Sequence, residues 1–524
     1  MSTPESTAGV ARHVVIVGGG TSGNVLARRL IDAGRRVTLI EAGARDLNPA
    51  IHDPSRMGEL WHSPEDWDFF TVPQEHAGGR RLHLPRGRVL GGSHALNAMI
   101  WVRCAPEDFD GWAAAGCEGW AWSDVLPIYR AVEDSNHGPS ELRGVGGLMP
   151  VRDDIPLQPI QAAIVEAAVE AGHPRNPDYN GESLDGISQE QVTIVDGVRV
   201  TSYTAYLRPV EDSPLLEVRT GAEVERVLLD HDADGGLVAR GVVLVRNGVR
   251  EELLADEVVL SAGALGSPAI LQRSGIGAAE TLRTAGIDPV LELPGVGENL
   301  HDHLLSPVIF STEREIGGPP SGTSPTQTHL FWRSQPDLAV PDTQPLHFSV
   351  PMYQEGMTGP GDGFTLMSGI VTPKSRGSLR ITGPSVDDEI AIDLAALSHP
   401  DDVASLVASV RQCREVGRQA ALAGAPGDGG WGAAELYPGS AVGDDNALLE
   451  EYVRNTAITY HHQVGTCAMG VGDDAVVDPQ LRVRGVNALR VVDASIMPTV
   501  TTGNTNAPAL IIGERAATFM LAEG

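Results

Sequence analysis

The chain has 524 residues, 42% of them hydrophobic and 20% charged, which suits a soluble globular protein of two domains or one large composite domain. A formal net charge of −31 opposes binding to nucleic acid or anionic lipid. The apolar runs fall far short of the ~20 residues of a membrane span. The polar lead MSTPESTAGVAR has no basic or apolar region of a signal peptide, so a cytoplasmic location is expected. Lys374 is the sole lysine; this argues against a P-loop and leaves one candidate for Schiff-base chemistry. Cys104, Cys117, Cys413 and Cys467 form no C-x-x-C pair, so they are expected as reduced thiols and no zinc centre is expected.

The first element is the apolar run His13–Val17, the pattern of a buried parallel strand. Gly18, Gly20 and Gly23 close it with G-x-G-x-x-G. A helical spacing follows over Asn24–Ala33, then a second strand over Val37–Ile40 ending at Glu41. In such a unit the first glycine permits a tight turn and the second lets the backbone approach a pyrophosphate. The third lets helix and strand pack closely, and the helix N-terminus faces the phosphates. Glu41 would accept hydrogen bonds from a ribose diol and repel a 2′-phosphate. The expected ligand is therefore FAD or NAD rather than NADP.

LPRGRVLGGSHALNAMIWVR at 84–103 brings the Gly91-Gly92 pair, where a backbone can come close to a ligand. In LSAGALGSPAILQRSGIG at 260–277, a strand over Glu257–Ser261 leads through a Gly/Ala turn to a helix expected from Ser267-Pro268, with proline in its first turn. PGVGENLHDH covers 294–303. Near the C-terminus stands TYHHQVGTCAMG, 459–470. A strand over Leu489–Val492 then ends at Asp493, and a Thr/Gly/Asn loop enters a helix from about Ala507.

With these motifs in this order along nearly the whole chain, the sequence resembles the glucose–methanol–choline (GMC) family of FAD-dependent oxidoreductases. PKSRGSLRI at 373–381 also fits the family's substrate-domain sheet. The resemblance implies an α/β fold: a discontinuous Rossmann-like FAD-binding domain plus an α+β substrate domain with an antiparallel sheet. By position, 1–304 would hold most of the FAD domain and 305–454 the substrate domain, with 455–524 returning to the FAD domain. Within that scheme the FAD domain would draw on 1–50, 80–110, 195–304 and 455–524, and residues 150–195 would join the substrate domain. Gly18, Gly20, Thr21, Ser22, Gly23, Glu41 and Ala42 would contact the ADP half. Val89, Gly92, Asn97 and Met99 would run along the flavin, and Val224 would meet the adenine. Asp493 and Ala494 would reach the pyrophosphate and flavin; Asn504, Thr505 and Asn506 would wall the pyrimidine end. A helix N-terminus there would stabilise reduced flavin.

Family members oxidise an alcohol by removing its hydroxyl proton and passing the carbinol hydride to flavin N5. The base position falls on His462, followed by Gln463 where proline is usual, and the partner position on Asn506, 44 residues on. Imidazole titrates in the right range for the base, and an amide can hold the developing alkoxide. Asn506 could equally be an N-cap, a role compatible with catalysis. If the segment is an extended strand, His461 points away from His462. His301 and His303 are spaced to share a face, but they lie in a family motif, so no metal is assigned.

Some family members tether the flavin through a histidine in the GGS segment. That position is Leu96, which implies non-covalent FAD. His94 replaces a usual Ser/Thr and is a second candidate tether if 94 and 96 share a strand face. Cys104 stands where the family often has glycine. The loops 317–326 and 356–363 are expected over the pocket entrance. The aromatics Trp61, Phe69, Trp101, Phe331, Trp332, Phe348 and Tyr353 are candidates for its surroundings, and no acidic cage for a quaternary ammonium is evident. The expected partners are a small-molecule alcohol and O2 or another electron acceptor. The alternative is a hydroxynitrile lyase-type enzyme that holds FAD without redox turnover.

Overall fold

The structure is a computed structural model and describes residues 12–523; the polar lead at 1–11 lies outside the described residues. It combines helices and sheets in two layered regions, the expected α/β class. Five parallel strands form one sheet in the order Leu216–Arg219, Arg36–Ile40, His13–Val17, Glu257–Leu260 and Leu489–Val491. The central strands are buried on both faces, which is why they read as continuous apolar runs. Sequence-distant segments thus meet side by side. The first helix, Thr21–Asp32, packs on the last, Asn506–Ala522. Ser22 donates to the Ala509 carbonyl at 2.6 Å, and Arg29 grips Glu514 with Nε at 2.8 Å and Nη2 at 2.8 Å.

The second region is a seven-stranded sheet in which Ala434–Tyr437, Leu304–Ser311, Phe364–Ile370, Leu346–Phe348, Thr326–Phe331 and Gly186–Gln189 follow one another. Ile458–Thr459 pairs with Leu304–Ser311, and all these pairings are antiparallel. Helices Pro159–Glu170 and Pro400–Gly417 cover one face through an aliphatic core that includes Ile164, Val308, Leu366, Leu406 and Val410. Among the described residues no helix is long and apolar enough to cross a membrane.

Three local expectations change. The helix expected from Ser267 begins at Gly263 and runs to Arg273, so Pro268 lies inside it. Proline lacks the N–H that would bond the carbonyl four residues back, that of Ala264. The Thr466 hydroxyl donates to that carbonyl instead, at 2.6 Å, and the Asp493 carboxylate caps the helix by accepting from Gly263 N at 2.9 Å. Residues Gly92–Ala95 form a 3-10 turn rather than a strand, so residues 94 and 96 share no strand face. The strand before the paired histidines stops at Thr459, and His461 takes φ +69°. The segment is therefore not an extended strand, and His461 and His462 both line one cavity.

Cys104 also has φ +70°, a conformation that glycine adopts without strain. This gives a physical reason for glycine at the corresponding family position.

Candidate active site

A cavity of about 590 Å³ runs along the C-terminal ends of the parallel strands and continues to the antiparallel sheet. In an open α/β sheet that edge is where ligands bind. Gly18, Gly20, Thr21, Ser22, Glu41, Ala42, Gly92, Asn97, Val224, Asp493, Ala494, Asn504, Thr505 and Asn506 all line it. Three expected contacts do not. Gly23 packs behind the wall, where a Cβ would come within 2.1 Å of the Gly18 carbonyl oxygen. Val89 is buried with Ile51, Leu60 and Leu96. Met99 is buried with Val192 and Ile194. The chain does not run as a strand here: Gly92–Ala95 form a 3-10 turn and Met99 takes φ +62°.

At one end the walls are largely backbone. A Cβ on Gly20 would meet nothing within 4 Å, whereas one on Gly92 would stand 2.7 Å from the Gly20 Cα. The two glycine turns therefore abut, and the Gly20 backbone faces open space. Buried Glu41 sits beside it, accepting from Gly19 N at 2.9 Å and Gly43 N at 2.8 Å. Burial pushes its carboxyl up to about 7, against the two N–H bonds that hold it down. An open backbone cradle, a helix N-terminus at Thr21 and a carboxylate with remaining lone pairs fit the ADP half of a dinucleotide.

At the other end the walls are side chains. His462 Nε2 is 3.3 Å from Asn504 Nδ2, and His462 Nδ1 is 3.0 Å from His303 Nδ1. Asn504 Oδ1 accepts from Gln344 Nε2 at 3.0 Å, which leaves the Asn504 Nδ2 protons for His462. In this network Nε2 of His462 carries the lone pair and Nδ1 carries the proton, donated to His303. Burial, with His303, His461 and Arg86 nearby, holds the His462 pKa well below the usual imidazole value. The ring is thus neutral, and it lines the cavity.

The expected partner Asn506 is not beside His462. Its Oδ1 accepts from Thr21 Oγ1 at 2.9 Å and its Nδ2 lies 3.3 Å from the His94 ring, as the first residue of the last helix rather than its N-cap. Asn504, two residues earlier on the turn, takes the place that counting gave to Asn506. Residue spacing in TGNTNAP does not distinguish the two amides; the path of the turn does. Cys104 braces that turn, with Sγ 3.7 Å from the Asn504 carbonyl oxygen.

Behind His462 stands a buried polar cluster. Asp302 accepts from His462 N at 2.8 Å and also from Thr459 Oγ1 and Gln463 Nε2. Gln463 Oε1 meets the Arg86 guanidinium, which donates as well to the His461 carbonyl. Burial pushes the Asp302 carboxyl up to about 6 and brings Arg86 down to about 10. Gln463 therefore bridges a buried cation and a buried anion, which proline could not do. His301 and His303 do not share a ligand. His301 turns to the Asn299 carbonyl at 2.6 Å and accepts from Val500 N at 2.9 Å. His303, Gln344, Asp302 and Arg86 were missed from sequence; the HDH doublet was the one available signal.

His94 lies behind the cavity wall. Its Nδ1 accepts from Ser202 N at 3.1 Å and its Nε2 faces Thr193 Oγ1 at 3.3 Å, while Leu96 lines the cavity. Of the aromatic candidates, Trp61, Phe69 and Phe348 line it, whereas Trp101, Phe331, Trp332 and Tyr353 do not. The 317–326 and 356–363 loops contribute no wall either; Gly322 N instead donates to Asp53 at 3.1 Å. Lys374 is exposed and paired with Asp401, far from a Schiff-base role. All four cysteines are buried and free.

The GMC oxidoreductase family matches residues 13–305 and again 373–513. An alcohol dehydrogenase [acceptor] from Pseudomonas putida is 36% identical, over 97% of this chain and 95% of that protein. An oxygen-dependent choline dehydrogenase from Brucella suis is 35% identical over the same shares. The crystal structure of a pyridoxine 4-oxidase from Mesorbium loti superposes with a TM-score of 0.91 at 35% identity, covering 97% of this chain and 98% of that one. The chain belongs to the GMC oxidoreductase family. It is an FAD-dependent oxidoreductase acting on CH–OH donors.

Proposed function

We propose that the enzyme oxidises an uncharged alcohol with an apolar body to the aldehyde or ketone, with His462 as base and Asn504 as its partner. The observation that carries this is the His462 Nε2–Asn504 Nδ2 pair opening on an apolar wall. A substrate hydroxyl that bridges the two nitrogens from the cavity side, in place of their direct hydrogen bond, donates its proton to Nε2 and accepts from Nδ2. His462 holds the proton it receives, and the Asn504 amide stabilises the alkoxide as charge develops. FAD, when bound, supplies the two-electron acceptor for the carbinol carbon.

Gly18, Gly20, Thr21 and Glu41 would hold its ADP half, and Gly92, Asn97, Ala494 and Thr505 the remainder. Leu96 at the tether position and the engaged ring of His94 favour non-covalent FAD; acid precipitation leaving no yellow pellet tests this. The parallel sheet would be the Rossmann-type FAD domain, assembled from separate segments, and the seven-stranded antiparallel sheet the core of the substrate domain. Leu305, Leu346, Phe348, Met352, Met367 and Tyr460 supply the apolar wall on the substrate side. This surface suits aromatic or medium-sized alcohols better than a quaternary ammonium.

Anaerobic addition of alcohols from a panel is the test. Bleaching of the flavin band supports the oxidoreductase reading, while aldehyde release with unchanged flavin would support the lyase reading. Paired peroxide and dye-reduction assays then identify the electron acceptor.

A further inference from the structure

Away from His462, another group of side chains converges beside the cavity. His62 Nδ1 lies 2.6 Å from Asp68 Oδ1, and His83 Nε2 lies 3.1 Å from the same oxygen. These three atoms all fall within 4.8 Å of one another, and theirs is the one such group among the described residues. They come from two segments. His62 and Asp68 flank a tight loop, while His83 sits on the short strand His83–Leu84, paired antiparallel with Phe69–Phe70.

The loop is shaped around Asp66. Its buried carboxylate accepts from His62 N at 3.1 Å, Asp68 N at 3.0 Å and Arg86 N at 2.9 Å, and lies 3.2 Å from His83 Nε2. Both His62 and Asp68 take positive φ, +58° and +55°, so the chain accepts two unfavourable backbone conformations while presenting these side chains together.

We propose that His62, Asp68 and His83 bind a divalent transition-metal ion of the zinc class. Two imidazoles and one carboxylate are a ligand set this ion takes, with water in the fourth position. Ligand bonds of about 2.0–2.1 Å place the donor atoms of a tetrahedral ion a little over 3 Å apart. The His62 and His83 rings stack at 4.0 Å with planes 22° apart, so binding requires the His62 ring to turn out of the stack as well as a small opening of its contact with Asp68. The His62 and Asp68 side chains are about half exposed, at 57% and 48%, so the ring has solvent to turn into once it leaves the His83 stack. Asp66 lies 3.2 Å from the same Nε2 of His83, so an ion bound there would replace that contact and leave the Asp66 carboxylate beside it as a further negative charge. Because Asp68, Phe69 and Phe70 line the cavity, the ion would tie the loop to its neighbouring strand at the cavity wall.

The test uses the FAD-loaded full chain, stripped with chelator and dialysed, titrated with ZnCl2 by calorimetry. One zinc per chain is expected, with a rise in melting temperature. His83→Ala and Asp68→Asn should each weaken binding by at least about tenfold. His137→Ala, which removes a histidine paired only with carboxylates, should leave the stoichiometry and affinity unchanged. Flavin absorbance and circular dichroism show which variants are folded. The absence of saturable zinc binding would overturn the proposal, as would undiminished binding in the folded His83→Ala and Asp68→Asn proteins. Neither result depends on alcohol turnover.

Discussion

The two ends of the cavity are built on opposite principles. The nucleotide end is a surface of backbone, where Gly20 and Gly92 abut and the ligand-facing groups are main-chain atoms. The catalytic end is a surface of side chains, where His462, Asn504, His303 and Gln344 converge from well-separated segments. At the first end function needs the absence of a side chain. At the second it needs a particular donor at a particular nitrogen.

Substitution should separate the two sharply. His462→Ala should retain FAD while turnover falls by about 10²–10⁴-fold, the span that a positioned base contributes, as measured by stopped-flow flavin reduction. Near-normal reduction would falsify the assignment of the base. Asn504→Ala should lower kcat by about 10²–10³-fold, the loss typical of an oxyanion donor. Asn506→Ala should leave kcat within about tenfold, because it contacts Thr21 and His94 rather than His462. If the two asparagine variants rank the other way, the turn carries its catalytic amide at 506.

Gly92→Ala probes the nucleotide end. A methyl placed 2.7 Å from the Gly20 Cα, at φ +55°, should lower the flavin-to-protein ratio of the purified enzyme. His462→Ala should leave that ratio unchanged. Gln463→Pro inserts the usual family residue but removes the bridge between Arg86 and Asp302. Leaving those buried groups short of partners should cost about 1–3 kcal/mol in unfolding free energy, read by denaturant melts at constant flavin loading.

The smallest effect concerns pH. The His462 pKa lies below its usual 6.5, so the neutral, proton-accepting ring persists as the solution is acidified past that point. The acid limb of kcat/KM should therefore have its midpoint below 6.5. A midpoint above that value would mean that the bound cofactor raises the pKa again, because kcat/KM reports the enzyme free of substrate.

The backbone end was largely legible because its signals are local. A strand, three glycines, a helix and Glu41 occupy consecutive residues, and each is required by sterics that travel with the sequence. The side-chain end was legible only to the position of His462. The asparagine that lies beside it is Asn504 rather than the expected Asn506, since the two amides are chemically identical and the path of the turn after Gly503, at φ +126°, sets their directions. Gln463 stood out as a departure, but its purpose required Arg86 and Asp302, hundreds of residues apart, to meet around it. Thr466 likewise gained a reason only when Pro268 proved to lie within a helix.

What the sequence by itself determined is the α/β class and the glycine-lined groove at the strand ends, because apolar periodicity and glycine sterics act over neighbouring residues. What the tertiary structure decided is which amide stands beside His462 and how a buried arginine and aspartate share one glutamine. Those are distances between side chains remote in the chain, and they exist only once both sheets have closed around the cavity.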